Sequence, residues 1–126
     1  MSFWKMRSLL ALVALVLGSV LLASCGGAQA VEGPPGTNFF YKDGKLDPES
    51  ITVKVGTTVT WLNRDGTPHT VTESNNDAYK TPKDGGFDSP TLQNNQKFEY
   101  TFDKAGTYYF KDRNYPKLFG TIVVEQ

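Results

Sequence analysis

The 126-residue sequence predicts an all-β Greek-key β-sandwich of seven or eight strands over residues 37–126. Three observations carry that expectation. Apolar and polar residues alternate along short runs, such as Ile51-Thr52-Val53-Lys54 and Phe98-Glu99-Tyr100-Thr101-Phe102, the period of a strand buried on one face. Turn-forming pairs, Asp43-Gly44, Asp47-Pro48 and Gly56-Thr57, divide these runs at sandwich spacing. No helical period persists in the region.

Asn38–Lys42 reads as a first strand, closed by Asp43-Gly44. Ile51, Val53 and Val55 alternate with Thr52 and Lys54 in the next. Val59 and Trp61 then point inward, with Thr58 and Thr60 outward, and residues 70–73 form another strand. Residues 74–91 carry Asn75-Asn76-Asp77, Pro82, Gly85-Gly86 and Pro90 and read as a loop with little regular structure. Phe98, Tyr100 and Phe102 alternate with polar residues. A turn over 103–106 then leads into Tyr108 and Phe110, and Ile122 and Val124 close the sheet. Asp103, Gly106 and Tyr108 resemble a tyrosine corner; a surface turn before a core Tyr is the plainer reading.

Residues 1–24 lie outside this fold. Lys5 and Arg7 precede an apolar run over 9–23, the layout of a secretory signal peptide and short for a membrane-spanning helix. The run ends in Leu22-Ala23-Ser24-Cys25, which resembles the lipobox of bacterial lipoproteins. An ordinary signal peptide, or a single anchor with an incidental Cys, is the alternative. On the lipoprotein reading Cys25 is the lipidated first residue, the domain is 37–126, and 25–36 is a flexible Gly/Pro-rich tether. The protein is then extracytoplasmic, periplasmic or on the cell surface, with the membrane as a partner. Gly26 follows Cys25, so the Asp that retains lipoproteins in the inner membrane of proteobacteria is missing.

Cys25 is the only Cys, so a lipidated mature chain has neither a thiol nor a disulfide. Both Met residues, Met1 and Met6, leave with the signal. The remaining 102 residues hold 11 Lys and Arg against 13 Asp and Glu, a balance that argues against nucleic acid as a partner.

The chemistry-bearing stretch is Gly106 to Val124, GTYYFKDRNYPKLFGTIVV. With Val59-Thr-Trp upstream, Pro68-His69-Thr-Val and Phe87-Asp88-Ser89, it resembles the cupredoxin family, the blue-copper fold of plastocyanin and amicyanin. The resemblance covers about residues 46–125. It implies that His69 matches the family's first His ligand, that Asp112 stands at the Cys, Tyr115 at the second His and Leu118 at the Met. Pro116 and Gly120 keep the family's Pro and Gly. One ligand of four is present.

Type 1 copper requires a thiolate, two imidazoles and a weak axial ligand. The mature chain has one imidazole and no thiolate or thioether, so its composition excludes a blue-copper centre and the expected cofactor is none. Strand parity puts Asp112 on the inward face with Tyr108 and Phe110. If family geometry holds, His69 and Asp112 meet as a partly buried pair in place of copper. Asp112 leaning out to solvent beside Lys111 and Arg113 is the alternative. His69, Asp112 and Tyr115 would hold copper or another divalent metal only weakly.

Nothing points to an enzyme. No nucleophile, base and acid set is visible, and Asp84 and Asp88 read as solvated loop charges. Family surfaces near the site dock partners through an apolar patch. By that resemblance Pro68, Tyr115, Pro116 and Phe119 form a binding face, or else Leu118 and Phe119 fill the space copper vacated. The expected function is a membrane-anchored, extracytoplasmic protein-binding or assembly module without type 1 copper. The alternative is a non-blue metal or electron-transfer protein using His69, Asp112 and Tyr115.

Overall fold

The structure is a computed structural model that describes residues 30–75 and 81–126. The expected signal segment and Cys25 lie outside the described residues. Eight strands follow one another: β1 (Asn38–Lys42), β2 (Lys45–Asp47), β3 (Ser50–Lys54), β4 (Thr58–Asn63), β5 (Thr72–Ser74), β6 (Lys97–Thr101), β7 (Gly106–Lys111) and β8 (Phe119–Glu125). They form two four-stranded sheets, ordered β2-β1-β4-β6 and β3-β8-β7-β5. β1 runs parallel to β4, and β3 to β8; the other neighbours are antiparallel. The all-β sandwich expected from the alternation is therefore present.

Period-2 alternation places Phe39, Tyr41, Ile51, Val53, Val59, Trp61, Phe110, Ile122 and Val124 between the sheets, where all are buried. Aromatic rings set its centre. Phe110 meets Phe39 edge-on at 4.8 Å and Trp61 edge-on at 5.3 Å, and Phe39 stacks on Trp61 at 5.5 Å. Gly120 lies under Phe110, where a Cβ would stand 2.6 Å from the ring. The Tyr108 hydroxyl donates to the Lys104 carbonyl at 2.8 Å, so the tyrosine corner is formed.

Some details differ from the sequence pattern. Val55 lies past the end of β3 and is exposed, because Gly56, at φ +90°, already turns the chain. Tyr100 is 39% exposed although it shares the alternation of Phe98 and Phe102. β6 is an edge strand, and Phe87 and Phe102, each at 5.0 Å, cover Tyr100 only in part. The 74–91 loop is pinned in its described parts. Buried Glu73 accepts from Lys83 Nζ at 2.9 Å and from the Phe87 amide at 3.1 Å, and the Lys83–Glu73 hydrogen bond raises the Lys83 ammonium above its usual value. Asp88 accepts from the Thr72 hydroxyl at 2.7 Å and lies 3.5 Å from Arg113, so it is more than a solvated charge.

Thr60 points away from the core and is still buried, as is Leu62 one pleat along. The cover over Thr60 is the end of the expected tether. Gly33 packs so closely that a Cβ there would meet Thr60 Oγ1 at 3.0 Å. The Asn38 side chain binds Gly33 N, Gly33 O and Pro34 O at 2.7–3.0 Å. Thr37 N closes a turn onto Pro34 O at 3.2 Å, with Gly36 at φ +80° in its third position. Residues 30–36 thus form a strap on the outer face of β1 and β4.

Candidate functional site

Two loops at one end of the sandwich build the site. β4 ends in Asn63, which fixes the loop after it. The Asn63 amide nitrogen donates to Thr67 O and Leu92 O, both at 2.8 Å, and its oxygen accepts from the Asp65 amide at 2.7 Å. That loop delivers His69, held in register by reciprocal backbone bonds with Leu92 at 3.0 and 2.7 Å. β7 delivers Asp112 one residue beyond Lys111, on the inward side that strand parity predicts. Asp112 N donates to Leu118 O at 2.9 Å and Leu118 N to Tyr115 O at 2.8 Å, which closes the 112–118 loop tightly.

His69 is 1% exposed and sits between two carboxylates. Its Nδ1 lies 2.5 Å from Asp112 Oδ2 and its Nε2 3.0 Å from Asp65 Oδ2. Ionised carboxylates only accept hydrogen bonds, so the ring that satisfies both contacts carries a proton on each nitrogen. The Thr67 hydroxyl lies 3.3 Å from Nε2. Tyr41 stacks on the imidazole at 4.5 Å and 6°, and Tyr115 lies tilted against it at 5.0 Å and 48°. A cation over an aromatic face gains further electrostatic stabilisation.

Asp112, fully buried, has a partner at each oxygen. Oδ2 takes His69, and Oδ1 accepts from Thr70 N and Thr70 Oγ1 at 3.2 Å and from Asn114 N at 2.8 Å. It does not lean out beside Lys111 and Arg113. The sequence offered no sign of Asp65 as a second partner beyond an acidic residue four positions before the His. Asp65 also accepts from the Gly44 amide at 3.2 Å, so the β1–β2 hairpin joins the network.

Tyr41 closes the floor. Its hydroxyl donates to Thr70 O at 3.0 Å. Burial, and secondarily the Asp112 charge, hold this phenol well above the usual 10.0. The folded state therefore keeps a proton that the unfolded chain releases near 10.0, so this stability is fully present below that pH and is lost as pH rises toward the folded value. Unfolding midpoints should fall with pH above about 10. Tyr41→Phe should flatten that decline while losing about 1 kcal/mol at neutral pH with the hydrogen bond. An equally steep alkaline decline in the variant would remove Tyr41 as its source.

The remaining expected site residues occupy the same end. Leu118 is half-buried and packs on the core. Tyr115 and Phe119 are 40% and 43% exposed. Pro116 is exposed and Pro68 half-buried, with Pro68 O accepting from Asn114 Nδ2 at 3.3 Å. His69, Asp65, Thr67, Tyr115, Lys117 and Leu118 line a cleft of about 410 Å³. Lys117 and Leu118 continue it into a smaller depression that reaches Phe119.

A family model for the cupredoxin-like domain matches residues 12–124. The chain belongs to the cupredoxin-like family. It is 32% identical to amicyanin-alpha of Methylorubrum extorquens, over 95% of this chain and 100% of that protein. It is 33% identical to amicyanin of Paracoccus denitrificans over 64% of this chain, a match spanning 59% of that relative's length. Among solved structures, a purple cupredoxin from Nitrosopumilus maritimus superposes with a TM-score of 0.61 at 26% identity, covering 71% of this chain and 99% of that one. An oxidised amicyanin variant gives 0.63 at 30% identity, covering 78% and 90%.

The residues present do not fit the copper of a blue cupredoxin. Asp112, expected at the thiolate position, is a carboxylate, and both of its oxygens are engaged. The two carboxylates approach opposite nitrogens of His69, so the three side chains do not converge on one point, as ligands of a single ion must. Among the described residues no group of three or more His, Cys, Asp or Glu side chains forms a metal-binding cluster.

Proposed function

We propose that this cupredoxin-like protein is a lipid-anchored, extracytoplasmic protein-binding or assembly module that works without type 1 copper. One observation carries the reading. The place that the resemblance matches to copper holds an internally satisfied Asp65–His69–Asp112 network, while the rim beside it exposes Tyr115, Pro116 and Phe119. Aromatic side chains exposed around a closed polar centre suit docking, because they bury large area with few rotatable bonds. The similarity to amicyanins supports the scaffold; the ligand set gives the alternative of a weak metal at His69, Asp112 and Tyr115 no support.

Phe119→Ser should weaken capture of a partner from solubilised membranes and leave the melting temperature nearly unchanged, since an exposed side chain contributes little to folding. A large fall in melting temperature, or unchanged capture, would overturn Phe119 as a docking residue. Cys25→Ala should release the domain from membranes. Unchanged fractionation would overturn the lipid anchor.

A further inference from the structure

The strap is fastened at the end of the sandwich that carries the site. Ala30 N donates to Asn95 O at 3.2 Å, and Arg64 Nη2 donates to Ala30 O at 2.8 Å. Lys97 Nζ donates to Val31 O at 3.4 Å. Arg64 directly follows β4, and Asn95 lies just before β6. Both belong to the end where Asn63 braces the His69 loop and β7 runs into Asp112. From Ala30 the strap runs against the direction of β1, turns at 34–37, and enters β1 at the opposite end.

We propose that the strap presents the Tyr115–Phe119 face close to the membrane holding Cys25, so that the partner of this face is a protein held in that same membrane, offering an apolar patch on its outer surface. This rests on the lipid-anchor reading given above. Only residues 25–29 separate the lipidated position from Ala30, and five residues reach at most ~18 Å. A soluble globule of 100 residues has a radius of gyration near 13 Å and so measures about 30 Å across. Such a partner does not fit between Ala30, at the site end of the strap, and the bilayer. Without the strap, residues 25–37 would reach about 40 Å or more, and the domain's other end could equally face the membrane.

Lipidated full-length protein in neutral phosphatidylcholine vesicles tests the orientation. Lipidation consumes Cys25, the only thiol in the chain, so Lys117→Cys and Lys104→Cys each accept a single fluorescent donor. Energy transfer to acceptor lipids should be several-fold stronger from position 117, since the six residues of β7 alone separate the two ends by about 20 Å. Inserting 20 Gly/Ser residues between Gln29 and Ala30 should erase the difference. Equal or reversed transfer in bound protein with the native linker overturns the orientation and leaves the anchor standing. Protein that does not bind vesicles, or binds equally as Cys25→Ala, overturns the anchor reading and the proposal with it.

The partner class has its own readout. A photo-cross-linker at position 119 of the Cys25→Ala variant in cells should give adducts that remain with alkali-washed membranes, where only the captured protein can hold them. Adducts confined to soluble proteins or to lipid, or no adduct, overturn a membrane-held protein partner.

Discussion

Replacing Asp112 with Ala should destabilise the domain by about 3–5 kcal/mol, the usual cost of removing one member of a well-buried ion pair. The reason is geometric. Asp112 is fully buried and serves His69, the Thr70 amide and hydroxyl, and the Asn114 amide. Its removal leaves a buried imidazole with one carboxylate, and backbone donors with none. Asp112→Asn should cost less, because its oxygen can still accept from Thr70 and Asn114. Asp65→Ala should also cost less than Asp112→Ala, since the Asp65 side chain is 11% exposed and water can replace part of what it does. Chemical denaturation of the three variants checks the order. A neutral Asp112→Ala would mean that the network stabilises nothing.

Gly120→Ala should destabilise by about 1–3 kcal/mol through overpacking, or roughly 4–8 °C in melting temperature per kcal/mol for a domain this small. The new Cβ would stand 2.6 Å from Phe110 Cζ and 2.9 Å from the Glu49 carbonyl oxygen. Neither neighbour can yield easily. Phe110 is held edge-on by Phe39 and Trp61, and Glu49 O accepts from Thr121 N at 3.0 Å. Gly66→Ala is the control, because its Cβ would meet nothing within 4 Å; it should stay within about 0.5 kcal/mol. Adding Phe110→Leu to Gly120→Ala should give a total loss below the sum of the two singles, the mark of a shared clash. Simple additivity would contradict it.

Much of this was legible because strands obey a short period. Parity alone placed Phe110, and Asp112 just past the end of β7, on the inward side, and the Pro116 and Gly120 kept from the cupredoxin pattern located the loop that closes the site. The partners of His69 were only half legible. Asp112 as a partner follows from parity together with the cupredoxin resemblance, but Asp65 reaches Nε2 through a loop whose shape depends on Asn63 contacts with Leu92, 29 residues away. No local pattern announces such a bond. The strap was hidden for a different reason. Its Gly/Pro composition is that of a linker, and its fixation comes from the side chains of Asn38, Arg64 and Lys97 in the strands and loops beneath. Tyr100 misled because alternation reports which face a residue takes, not how completely its neighbours on an edge strand cover it.

The central claim is that His69 is held at both nitrogens by carboxylates and serves as no metal ligand. Imidazole nitrogen-15 NMR of the purified domain, before and after addition of Cu(I) and Zn(II), tests it most directly. The account predicts that both ring nitrogens donate to their carboxylates and that their signals stay in place when metal is added. A ring nitrogen without a proton, shifting in proportion to one equivalent of metal, would contradict it.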